Sequence, residues 1–233
     1  SKAGLSTTSW CTGVCVTDIN NDGWPDIYVC VSGRVNGTKR KNLLFINQHD
    51  LTFKEEAAAY GLADTSYSTQ AVFLDYDKDG RMDMYLLNHT LNDKRPNDIR
   101  DNKVDSNAIA GDKLYRNEGI PPGMSHPVFN DVSKQAGIVE DGNGLGVVVS
   151  DFNGDGYPDI YVSNDYIEQD FFYMNNRDCT FSEMLHNSFG HISKFSMGVD
   201  IADYNNDVMP DVITLDMLPE DNHRQKLLKG PDE

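Results

Sequence analysis

Short runs of β-branched and aromatic residues alternate in this chain with clusters of Gly, Asn, Asp and Pro, a pattern that predicts strands and turns. Four acidic clusters stand between paired runs. Ahead of them lie Val14–Val16, Ala71–Leu74, Val147–Val149 and Val199–Ile201; behind them lie Asp26–Val29, Asp83–Leu86, Asp159–Val162 and Asp211–Thr214. Each cluster therefore joins two strands. A third strand is predicted at Asn42–Asn47, Asp112–Asn117 and Asp170–Asn175, and a fourth at Leu51–Glu55, Pro127–Asp131 and Cys179–Glu183. Alanine and glycine then punctuate the chain at Ala59–Leu62 and Ala136–Ile138 before the next unit opens. Four antiparallel strands per repeat predict an all-β fold, a β-propeller of four-stranded antiparallel blades.

The acidic clusters share a nine-residue frame with oxygen side chains at positions 1, 3, 5 and 9. The copies are Asp18, Asn20, Asp22, Asp26; Asp75, Asp77, Asp79, Asp83; Asp151, Asn153, Asp155, Asp159; and Asp203, Asn205, Asp207, Asp211. Hard divalent cations take six to eight oxygens, so each frame reads as a Ca²⁺ loop, and the carbonyl of position 7 (Trp24, Arg81, Tyr157, Met209) would complete each cage. An EF-hand begins in this way but ends on a bidentate Glu at position 12. Here position 12 is Val29, Leu86, Val162 or Thr214, and strands replace helices. Three frames have Gly at position 6, while the fourth has Val208, a β-branched residue that resists positive φ. Three to four ions are expected, with the fourth site read as weaker, distorted or empty, and Asp200 is a candidate for an outer oxygen there.

The loops start at residues 18, 75, 151 and 203, and the long middle period reflects a polar insertion of about His89–Gly111. Its two readings, a solvated excursion and a binding loop, stay open. The units fall at about 13–62, 70–138, 146–190 and 198–217, which makes residues 1–217 a propeller segment of about three and a half repeats. Residues 218–233 break the pattern and read as an irregular or short helical tail. The chain opens at Ser1 without Met, and Ala3-Gly4-Leu5 matches the punctuation that closes a unit, so further blades or domains of a larger parent are expected.

The formal charge is −17, and thirteen of the 37 acids are loop aspartates. Such clusters repel one another unless cations sit among them. An acidic chain without a basic stretch argues against nucleic acid and anionic membranes as partners. No run approaches the roughly 20 apolar residues of a membrane span. The cysteines (Cys11, Cys15, Cys30, Cys179) lack CxxC spacing, which disfavours zinc and redox sites. Cys15 and Cys30 flank the first loop; a disulfide between them competes with the preferred reading of two small buried side chains.

The run Gly-Val-x-Val-x-Asp-x-Asn-x-Asp-Gly-x-Pro-Asp-Ile-Tyr-Val, followed by Leu-Tyr-x-Asn and Thr-Phe, resembles the FG-GAP/VCBS repeat, particularly those beside ASPIC/UnbV domains in bacterial secreted or surface proteins. The resemblance covers residues 3–217. It implies an integrin-α-like propeller with structural Ca²⁺ in the loops between strands, and surface loops that recognise protein or glycan ligands. Weak calcium sites also suit an extracellular, periplasmic or cell-surface setting.

Catalysis needs an acid/base pair or nucleophile in a cleft. The paired carboxylates sit in the repeat frame, and His49, His89, His126, His186, His191 and His223 fall in connecting segments without metal spacing. The preferred reading is a non-catalytic, calcium-stabilised module for adhesion or ligand binding. The alternative is an accessory or catalytic portion of a polysaccharide-processing enzyme such as a lyase.

Overall fold

The computed structural model describes residues 2–33, 40–89, 111–165, 168–193 and 195–217. Three four-stranded antiparallel meanders are followed by a two-stranded hairpin. The first meander is β1 (Cys11–Thr17), β2 (Asp26–Val31), β3 (Leu43–Asn47) and β4 (Phe53–Glu55). The second is β5 (Ser68–Leu74), β6 (Asp83–Asn88), β7 (Lys113–Asn117) and β8 (Phe129–Asp131). The third is β9 (Gly144–Ser150), β10 (Asp159–Asn164), β11 (Phe171–Asn175) and β12 (Phe181–Glu183), and the hairpin is β13 (Ser196–Ala202) and β14 (Asp211–Asp216). The tail from residue 218 lies outside the described residues, as does the insertion except for its ends. Those ends, His89 and Gly111, bridge to Asn143 and Asp141.

In every hairpin the residue before the loop pairs with the loop's last aspartate: Thr17 with Asp26, Leu74 with Asp83, Ser150 with Asp159 and Ala202 with Asp211. The acidic frame is thus the hairpin turn itself. Successive meanders meet through their first strands, β5 against β1, β9 against β5 and β13 against β9. Thr12 Oγ1 donates to the Ser68 carbonyl at 2.7 Å and Thr69 Oγ1 to the Gly144 carbonyl at 3.0 Å, so a hydroxyl near the start of β1 and of β5 bonds the next sheet. Meanders arrayed in this manner are the blades of a β-propeller.

The core consists of layers between blades. One layer draws Tyr28, Leu44 and Tyr60 from the first unit and Met84, Leu86 and Phe129 from the second. A second layer joins Tyr85, Leu87 and Leu114 to Val147, Ile160 and Tyr173. A third places Tyr161, Phe172 and Leu185 against Val199 and Val212. A neighbouring blade is what buries each face: Val14 on β1 is 65% exposed, whereas Val147 at the same register on β9 is 5% exposed.

Single helical turns follow the fourth strands, α1 (Ala57–Tyr60), α2 (Ser133–Ala136) and α3 (Leu185–Ser188), and the alanine and glycine punctuation falls at the ends of the first two. Gly61 and Gly137 close the first two with φ of 80° and 81°. A Cβ on Gly61 would sit 2.5 Å from the Phe129 carbonyl oxygen, and one on Gly137 2.8 Å from that of Phe181. The glycine ending one blade therefore packs on the outermost strand of the next. β4 and β12 start two residues later than the pattern suggests, because Leu51 and Cys179 take left-handed φ of 68° in the preceding turn.

Tyr28, Tyr85 and Tyr161 are buried, and their hydroxyls meet the residue before the third strand. Tyr85 donates to Asp112 Oδ2 and Tyr161 to Asp170 Oδ2, both at 2.7 Å, while in the first blade the Asn42 amide donates to the Tyr28 hydroxyl at 3.1 Å. Burial pushes Asp112 up to about 7, opposed by bonds from the Asn88 amide and Tyr85.

Two outcomes follow from this packing. Gly61→Ala combines left-handed strain with a backbone clash and should cost more than 2 kcal/mol or so, against about 1 kcal/mol for Gly123→Ala, where φ is 85° and nothing lies within 4 Å. Denaturant melts of the two variants check this. The Asp112 carboxyl binds its proton more tightly folded than unfolded, so its contribution is present below the unfolded value of about 4 and is lost as pH rises through about 7. Asp112→Asn, which reproduces Asn42, should therefore flatten the fall in stability over that window, measured by melting across pH.

Candidate metal centre

Each loop folds around its first aspartate, whose two oxygens accept the amides of positions 5 and 6. Asp22 N and Gly23 N donate to Asp18 at 3.0 and 2.7 Å, Asp79 N and Gly80 N to Asp75 at 3.0 and 3.1 Å. Asp155 N and Gly156 N donate to Asp151 at 2.9 and 2.7 Å, Asp207 N and Val208 N to Asp203 at 3.0 and 2.9 Å. The position-3 oxygen of Asn20, Asp77, Asn153 and Asn205 accepts the position-5 amide as well. Asp22, Asp79, Asp155 and Asp207 in turn accept the amide of position 7, on Trp24, Arg81, Tyr157 and Met209. The backbone therefore gathers three side-chain oxygens per loop. Positions 4 and 6 both take left-handed φ, as at Asn21 (59°) and Gly23 (87°), yet only the third loop has glycine at both, Gly154 and Gly156.

The ninth residue ties the loop to the blade. Its Oδ2 accepts the position-2 amide: Ile19 to Asp26 at 3.1 Å, Tyr76 to Asp83 at 3.3 Å, Phe152 to Asp159 and Tyr204 to Asp211 at 3.0 Å. Its Oδ1 accepts the amide of the asparagine ending the third strand, with Asn47, Asn117 and Asn175 each at 2.8 Å. The same asparagines return a side-chain bond to the carbonyl of position 8. Burial raises Asp26 and Asp159 and pushes Asp83 up to about 7, opposed by those amides and reinforced by the neighbouring loop carboxylates. A buried carboxylate among acids is the setting that a divalent cation relieves.

The donor set suits such an ion. One oxygen each from Asp75, Asp77 and Asp83 lies within 4.8 Å of the others. Each amide bond uses one lone pair of an oxygen that has two, which leaves the other for a cation. Bound there, a hard divalent ion would be held by positions 1, 3, 5 and 9 and would offset their repulsion.

Basic side chains partner the outer oxygen of position 5, a feature the sequence frame did not announce because they lie outside it or point away from it. Arg177 Nε reaches Asp155 Oδ2 at 2.8 Å, His49 Nε2 lies 3.0 Å from Asp22 Oδ2, and Arg81 pairs with Asp79. Asp155 is lowered by the Tyr157 amide and by Arg177. For Asp22, desolvation opposes bonds from His49 and Asn20 that carry the net shift downward. Trp24 stacks on His49 with centroids 5.2 Å apart.

Elsewhere the candidate groups separate. A groove of about 460 Å³ runs between the second and third loops, lined by Phe73, Asp75, Lys78, Val149, Asp151 and Gly156 among others. Cys15 and Cys30 are free, as are Cys11 and Cys179; Cys30 is buried and Cys15 half-buried. Asp200 is exposed and accepts the Ile201 amide. The fourth loop keeps the hydrogen-bond frame of the others while holding Val208 at φ 72° and 92% exposed. Val208→Gly should relieve that strain and raise stability by about 1 kcal/mol, read from the melting midpoint.

One family model agrees with this frame. Residues 151–214 match the model of the FG-GAP-like repeat, from the third loop through the fourth hairpin. No curated protein matched the sequence. Among solved structures, a lectin of Agrocybe aegerita described as recognising non-reducing terminal N-acetylglucosamine is similar at 18% identity over 89% of this chain and 47% of that one, with a TM-score of 0.46. A Bacillus licheniformis rhamnogalacturonan lyase is similar at 14% identity over 93% of this chain and 42% of that one, with a TM-score of 0.44. The chain thus spans less than half the length of either. Its repeated blade, with the acidic loop between first and second strands, carries an FG-GAP-like repeat at residues 151–214.

Proposed function

We propose that this chain is a calcium-stabilised binding module, a β-propeller segment that presents loops and grooves to a protein or glycan ligand outside the cell. The observation that carries the reading is the repetition of one oxygen frame in four hairpin turns, each closed by the same backbone amides. A frame repeated with the same hydrogen bonds on successive blades serves the fold, whereas an active site is built once. Ions that bind only the folded chain stabilise it by mass action. They would neutralise the carboxylates that border the groove between the second and third loops, leaving Phe73 and Lys78 to meet a ligand.

The chain's own residues supply the coupling. The position-1 and position-9 aspartates orient toward the loop centre through amide bonds, and the position-9 carboxylate relays loop order to the third strand. A divalent ion when bound contributes charge neutralisation alone.

Excess calcium should raise the melting temperature well above that in chelator. Asp155→Asn keeps an acceptor for the Tyr157 amide but loses a charge, so it should lower the melting temperature in calcium and change it little in chelator. Equal losses in both conditions would remove Asp155 from the ligand set. On a glycan and protein panel the calcium-loaded chain should bind without turnover; product formation would favour an enzyme.

A further inference from the structure

The second loop differs from the other three at one ligand position. Asp77 stands where Asn20, Asn153 and Asn205 stand, and its side chain is 3% exposed. Asp77 Oδ1 accepts the Asp79 amide at 3.3 Å. Asp77 Oδ2 is buried without a hydrogen bond, and Arg116 Nε lies 3.0 Å away, itself buried and without one. The contact is one of charge rather than an aimed N–H. Arg116 belongs to β7, at the register held by Ile46 on β3 and Met174 on β11. The chain therefore carries two versions of this place: an amide matched to an apolar side chain in the first and third blades, and a carboxylate matched to a guanidinium in the second. The exchange is electroneutral.

That matters because Asp77 belongs to the tightest acidic group among the described residues, with oxygens of Asp75, Asp77 and Asp83 within 4.8 Å. A buried carboxylate beside two others is unfavourable unless a positive charge compensates it. We propose that Arg116 is the positioning residue of the second loop: it compensates Asp77 when no divalent ion is bound, and by doing so it weakens this loop's affinity for the ion. Without Arg116 the second loop, with four carboxylates, would carry an acid that the other loops lack and nothing to offset it. The inference rests on the calcium reading above and adds to it a residue that tunes one loop.

The amides of Gly23, Gly80 and Gly156 each donate into their own loop and report on it separately in a calcium titration followed by NMR. In Arg116→Met, the residue of the third blade, the Gly80 midpoint should fall roughly tenfold, the scale of removing one partly screened charge a few ångströms from the ion. Gly23 and Gly156 should not move. The same variant should melt lower in chelator. Arg116→Lys keeps the charge and should leave the Gly80 midpoint near wild type, while Asp77→Asn with Arg116→Met should melt near wild type in chelator. A Gly80 midpoint that is unchanged or higher in Arg116→Met overturns the proposal. If Arg116→Met fails to fold, the double variant decides: restored folding supports compensation of Asp77, and failure points to lost packing instead. If no glycine amide responds to calcium in the wild type, the calcium reading falls and this proposal falls with it.

Discussion

The carboxylate at the end of each acidic loop is the joint on which the blade depends. Asp26, Asp83 and Asp159 each accept one amide from inside the loop and one from the last residue of the third strand. Those residues are no more than 1% exposed, so the bonds form where water does not compete. The arrangement has an inherent tension, because an ionised group is buried among like charges. Two backbone amides offset part of that cost, and the basic residues that partner the neighbouring position-5 aspartates offset more. A divalent ion completes the compensation in the proposed account.

The same joint explains why the layers between blades are so regular. Fixing the third strand to the turn of the first hairpin sets the register of all four strands, and register decides which side chains face the neighbouring blade. Tyr28, Tyr85 and Tyr161 then arrive at one depth, beneath Asn42, Asp112 and Asp170. Gly61 and Gly137 arrive against the outer strand of the following blade. Stability in such an array is a sum of blade and interface contributions, so exposed Val14 at one end and Ile213 at the other mark faces that lack a described neighbour.

Much of this was legible in the residues. The hairpins, the four-strand unit and the oxygen frame of each loop followed from repeated spacing, because oxygen side chains at fixed intervals have few other uses. The third-strand asparagines were visible as repeats, yet their partner was not, since the bond runs between residues 21 to 34 apart in the first two blades. The cation partners were hidden for another reason. His49 and Arg177 stand 27 and 22 residues from the acids they meet, and Arg116 differs from its counterparts Ile46 and Met174, so no pattern announced them. The one-turn helices were too short to show a period. Val208 was rightly singled out, but the loop retains its bonds at the expense of backbone strain.

The central claim is that loop order and third-strand order are one quantity, coupled through the ninth aspartate. Amide hydrogen exchange at Asn47, Asn117 and Asn175, compared in calcium and in chelator, tests it most directly. The account predicts that calcium raises protection at all three sites together with the loop glycine amides. Protection of the loop glycines that rises while the three asparagines stay unchanged would contradict it.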